Sequence, residues 1–169
     1  MIKGKQLLGL QIIGQNDGKH LGAVHDLIFD HDSDELLALV LAEKDLFGLI
    51  DAQVVLWKSV LKVGNDAILV ESAAARIALR SEARLSDVAT RETALSGTKV
   101  LAQDGANLGT LADMCVDETT GQVLGYEVSK GFLADTLRGK KFLPSPPGIA
   151  IGKDAAIVSP AGEAALKKQ

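Results

Sequence analysis

DGKHLGAVHDLIFD at residues 17–30 and DGANLGTLADMCVD at residues 104–117 share six identical positions at a constant offset of 87. The identities are Asp17 with Asp104, Gly18 with Gly105, Leu21 with Leu108, Gly22 with Gly109, Asp26 with Asp113 and Asp30 with Asp117. Working outward, the same offset pairs Leu8 with Leu95, Ile13 with Val100, Leu36 with Val123 and Leu41 with Val128, so one gapless register is read across residues 8–41. Farther on, GNDAILV at 64–70 answers GKDAAIV at 152–158 at an offset of 88, one residue longer. Chance similarity among Gly, Asp and Leu does not concentrate six identities in one such window. The chain reads as a tandem duplication, a signal that governs architecture before any other.

Each copy repeats the same strand and turn signals. Asp17-Gly18 and Asp104-Gly105 lie between apolar runs, and Asp-Gly marks a hairpin because Gly accepts positive φ. Turns follow at Ser33-Asp34-Glu35 and Thr119-Thr120-Gly121, then the apolar stretches LLALVLA at 36–42 and VLGYEVS at 123–129. Leu124, Tyr126 and Val128 alternate with Gly125, Glu127 and Ser129, the period of a half-buried strand. A last hairpin turns at Gly64-Asn65-Asp66 and at Gly152-Lys153-Asp154. About five short strands per copy without a long amphipathic helix predict an all-β, mainly β, chain folded as two small barrels, since closure removes exposed edges. The expected division is repeat 1 over 1–72, a linker over 73–93 that is helical in its first half, repeat 2 over 94–159, and a short helical tail over 160–169.

Composition narrows the function classes. With 47% hydrophobic and 24% charged residues the chain has the balance of a globular protein. A net charge of −4 and a pI near 5.3 disfavour a phosphate backbone as partner. The six aromatic residues, Phe29, Phe47, Trp57, Tyr126, Phe132 and Phe142, are scattered and make no base-stacking platform. Gly9 and Gln11 interrupt the apolar N-terminal run, and LLALVLA is far shorter than a bilayer span of about 20 residues. These features predict a cytoplasmic protein without a membrane span. The single cysteine, Cys115, lies in an apolar-patterned stretch and is expected in the core.

The recurring DG, LG, central Asp and terminal Asp before the next hairpin resemble the PRC-barrel pattern in both copies. The closing blocks VLWKSVLKVGNDAILV and FLPSPPGIAIGKDAAIV resemble it as well, with Trp57 near where the second copy has Leu143-Pro144. The resemblance implies two tandem PRC-type β-barrels joined by a partly helical linker. It is the module found in photosynthetic reaction-centre H subunits, in the ribosome-maturation protein RimM and in small stand-alone proteins. It implies a scaffold that contacts proteins and supplies no catalytic residues to carry over. The sequence is expected to have neither the transmembrane helix of the first nor the separate N-terminal barrel of the second.

Candidate chemistry is sparse. His20, His25, Asp26, Asp30, His31, Asp32 and Asp34 crowd one region, but the EF-hand spacing fails at Glu35 and Leu41, and the second copy has Asn107, Ala112 and Glu118 where the histidines stand. The reading is a solvated acidic turn, with no metal or other cofactor expected. The repeated Asp26/Asp113 and Asp30/Asp117 fit acceptors for backbone N–H groups at strand ends better than acid-base pairs. No nucleophile elbow, phosphate-binding glycine loop or C-x-x-C pair is present, so an enzyme is not expected. Arg76, Arg80 and Arg84 would line one face of a helical linker, a solvated stripe.

Two features single out partner-binding residues. The presumed outward positions of the first copy's strand are Leu36, Ala38, Val40 and Ala42, against Val123, Gly125, Glu127 and Ser129 in the second, so Val40 marks a stickier face for the other barrel or a homodimer. SKGFLADTLRGKKFLP at 129–144 sets Asp135, Arg138 and Lys140 around Phe132, the mixture of an interface core and rim. The expected function is a non-catalytic protein-interaction or assembly module. A ligand or metal site between the barrels is the alternative, and a ribosome-associated role the third.

Overall fold

The computed structural model describes residues 1–41, 52–90, 97–131, 135, 139–145, 149–152 and 154–167. They fall into two units. The first comprises Ile2–Arg91 with the turn Asp117–Gln122, and the second Glu92–Val116 with Val123–Gln169 and Met1.

The first unit runs β1 (Ile2–Lys3), one helical turn α1 (Gly4–Leu7), β2 (Gln11–Gly14), β3 (His20–Asp30), β4 (Glu35–Leu41) and β5 (Gln53–Leu56). A tight turn at Trp57–Ser59 leads into β6 (Val60–Val63) and β7 (Ala67–Val70), followed by β8 (Arg76–Ala78) and helix α2 (Ala83–Thr90). Its strand order is β6-β7-β2-β3-β4-β5-β8, antiparallel except where β2 and β7 run parallel. The second unit repeats the plan with β9 (Lys99–Ala102), β10 (Asn107–Val116), β11 (Val123–Ser129), β12 (Lys141–Pro144), β13 (Ile149–Ile151) and β14 (Ala155–Val158), then helix α3 (Pro160–Lys167). Its order is β12-β11-β10-β9-β14-β13, with β9 and β14 parallel. The mainly-β, two-barrel expectation holds.

The repeated motif residues bend the long strands. β3 slips register between Val24 and Asp26 and again between Ile28 and Phe29, and β10 does so between Leu111 and Asp113 and between Cys115 and Val116. At the first slip of each, the carboxylate accepts the next residue's N–H, Leu27 to Asp26 at 2.8 Å and Met114 to Asp113 at 2.9 Å. Each Asp therefore satisfies a donor that the bulge takes out of the ladder. The Leu-Gly pair has an equally local cause in the second copy. Gly109 has φ 133°, and a Cβ there would stand 2.2 Å from the Ser129 carbonyl oxygen.

Three details differ from the sequence reading. The gapless register over 8–41 breaks at the first hairpin: Ile12 and Val100, both fully buried, occupy the same place at an offset of 88, and Ile13 does not pair with Val100. The cause is one extra turn residue in the first copy, where Gly14 N–H donates to Lys19 O, against Ala102 N–H to Ala106 O in the second. In the 73–93 segment, the first half forms tight turns at Ala73–Ala75 and Leu79–Ser81 around β8, and the α-helix lies in the second half. Alanine propensity there is overridden by tertiary pairing of Ile77 with Val54 on β5. Arg76, Arg80 and Arg84 consequently fall on a strand, a turn and a helix and share no helix face.

Both cores use matching positions. Ile12, Leu39, Val55, Ile68 and Val70 are sealed in the first unit, and Val100, Tyr126, Leu143, Ala156 and Val158 in the second. Cys115 is buried as expected.

Candidate interaction surfaces

The apolar outer positions of β4 are covered by the same unit. Val40 is only 8% exposed and packs in one cluster with Ile28, Ala38, Val54, Leu79 and Leu85, flanked by Ile77 and Val88. The excess hydrophobicity read in LLALVLA is real, but its cover is the segment 77–88. As a docking residue for a second barrel or a homodimer, Val40 is corrected to a core residue.

Helix α2 is fastened by an ionic cluster at the β3–β4 turn. Arg84 donates to Asp30 at 3.0 Å, to Ser33 Oγ at 2.9 Å and to Glu35 at 3.0 Å. Burial works to raise the Asp30 carboxyl, but Arg84 and the Asp32 N–H together outweigh it and hold the group below the ordinary carboxylate range. In the second copy Asp117 takes the N–H groups of Thr119 and Thr120, which depress it in turn. The turn Asp117–Gln122 belongs to the first unit, where Gln122 Nε2 donates to Asp34 O at 2.8 Å and Leu36 N–H to Gly121 O at 2.8 Å. Gly121, at φ 78°, lies so close to Trp57 that a Cβ would stand 2.4 Å from Cδ1.

The histidines are dispersed. His20 is hydrogen-bonded to the Gln11 side chain, His25 is exposed midway along β3, and His31 packs edge-on against Phe29. Among the described residues no three His, Cys, Asp or Glu side chains come together in a metal-binding group.

The β11–β12 connection holds the remaining sequence-predicted residues. Asp135 accepts from Ser129 Oγ at 2.5 Å and from Lys130 N–H at 3.1 Å, and its own backbone links Gly131 to Gly139. Lys140 pairs with Glu127 at 3.6 Å. These contacts tie Asp135 and Lys140 to β11 and the residue that follows it. Phe132 and Arg138 lie outside the described residues.

With two matching six-strand plans and their shared bulge aspartates in place, the family comparison is decisive: the PRC-barrel domain model matches residues 1–77 and 91–164. The chain belongs to the PRC-barrel family. No curated protein matches it. Among the described residues of this PRC-barrel protein, no helix is long and apolar enough to cross a membrane. The Arg84 cluster is not legible locally because Arg84 is separated from its partners by about fifty residues.

Proposed function

We infer that the protein is a non-catalytic interaction or assembly module, and that its partner-facing elements are the β4–β5 and β11–β12 connections. The observation carrying this reading is their correspondence. Residues 42–52 and 130–140, eleven in each, join equivalent strands, and both carry a phenylalanine with aliphatic neighbours: AEKDLFGLIDA and KGFLADTLRGK. Apolar residues retained in both of these segments favour recognition, because segments between the strands of a scaffold commonly carry function. The basic residues of the second connection and the acidic residues of the first favour different partner chemistries at the two connections.

Affinity purification from the native host with Phe47→Ser and Phe132→Ser/Arg138→Glu variants tests this. Each variant is expected to keep the parent's melting temperature within a few degrees while losing a distinct co-purifying protein. Unchanged partner sets for both variants would contradict the reading. Self-association lost in either variant, seen as a drop in solution mass, would identify a second copy as the partner.

A further inference from the structure

We propose that the β3–β4 turn is an acid-sensitive latch: His31 holds the turn closed while neutral and releases helix α2 when it takes up a proton. Both ring nitrogens of His31 are buried without a hydrogen-bond partner among the described residues. The ring stands edge-on to Phe29, with centroids 4.1 Å apart and planes at 65°, an apolar seat for an imidazole. All three acceptors of Arg84, namely Asp30, Ser33 and Glu35, flank His31 in this turn.

An imidazolium has two N–H donors to satisfy, and a buried charge without partners is strongly disfavoured. The charged groups acting on the ring are Asp30, Asp34 and Asp32. Asp30 is already engaged by Arg84 and by the Asp32 N–H. A protonated His31 must leave the Phe29 contact to reach these carboxylates or water, and at Asp30 it competes with Arg84 directly. Either movement rearranges the turn that supplies Asp30, Ser33 and Glu35 to the Arg84 side chain, loosening the cover over Val40. Glu118 takes the place of His31 in the second copy, so the device belongs to the first alone.

The pH window follows from the direction of titration. Burial holds His31 below its ordinary value of 6.5, so its neutral form contributes stability above about pH 6.5 that is lost as pH falls through the lower folded value. Asp17, Asp30 and Asp117 are held below 3.8, so their contribution is present above about pH 4 and is lost only at stronger acidity. The two effects are separable.

Amide hydrogen exchange of residues 83–88 in the full chain, at pH 7 and pH 5 and corrected for intrinsic rates, provides the test. The parent should lose protection at pH 5 relative to pH 7. His31→Phe, which keeps the aromatic contact and cannot titrate, should show equal protection at both pH values. Should His31→Phe fail to fold, His31→Gln serves with the same expectation. Equal protection of the parent at both pH values, or parent-like acid sensitivity in the folded variant, would overturn the proposal.

Discussion

β4 and β11 occupy the same place in two copies of one barrel, yet they solve the exposure of their outer positions in opposite ways. In β4 the alternate residues Ala38 and Val40 are apolar, and β8, the turn at Leu79–Ser81 and α2 bring Ile77, Leu79 and Leu85 over them. In β11 the corresponding residues are Gly125 and Glu127, and Glu127 is paired with Lys140. The first copy uses the segment after its last hairpin as part of its core. The second has the Phe142 ring against Gly125 and an ion pair at Glu127, while its own following segment forms α3, whose buried Leu166 presents its carbonyl to Lys141 Nζ. Duplication preserved the barrel and left the outer layer free to diverge.

Exchanging the chemistry of the two strands should break the comparison most forcefully. Val40→Glu places an unpaired carboxylate inside the covered cluster and is expected to cost about 3 to 5 kcal/mol in denaturant unfolding. Glu127→Val removes a part-exposed ion pair and should change stability by about 1 kcal/mol or less. Equal effects would mean that the two faces are not differently covered.

A smaller contrast concerns two glycines of positive φ. Gly121→Ala adds strain and a clash with Trp57, for an expected loss of about 2 to 3 kcal/mol. Gly105→Ala meets open space at φ 86° and should cost about 1 kcal/mol from backbone strain alone. Thermal melts of the two variants beside the parent measure the difference.

The smallest effect is expected at the turn aspartates. Asp17 is depressed chiefly by the N–H groups of Ala73 and Lys19, and Asp117 by those of Thr120 and Thr119. Their depressed values favour folding above about pH 4, so Asp17→Asn and Asp117→Asn should each flatten the decline in melting temperature below that pH. A decline as steep as the parent's in both variants would detach these carboxylates from acid stability.

Much of the barrel was legible because its determinants are local. Asp-Gly turns, the Leu-Gly pair and the bulge aspartates act on backbone within a few residues, and each recurs at a fixed offset. The one-residue slip between Ile13 and Val100 was hidden because Ile12 and Ile13 are chemically alike, and only the length of the Gly14–Lys19 turn separates them. The covered face was half legible. The apolar excess of β4 could be read directly, whereas the identity of its cover depends on Ile77 and Leu85 returning across the sheet, a pairing that alanine-rich composition disguises as a helical linker. Of the interaction residues, Asp135 and Lys140 proved to have structural contacts that a list of charges around Phe132 does not reveal.

The central claim is that residues 76–88 are part of the first barrel's core, and native-state hydrogen exchange at neutral pH tests it most directly. The Leu79 amide donates to Ala52 O at 2.8 Å, and Ile77 pairs with Val54 on β5. Both amides should exchange as slowly as that of Val54, opening only when the barrel opens. Exchange of Ile77 and Leu79 at the rate of an unstructured chain, with Val54 still protected, would contradict the account.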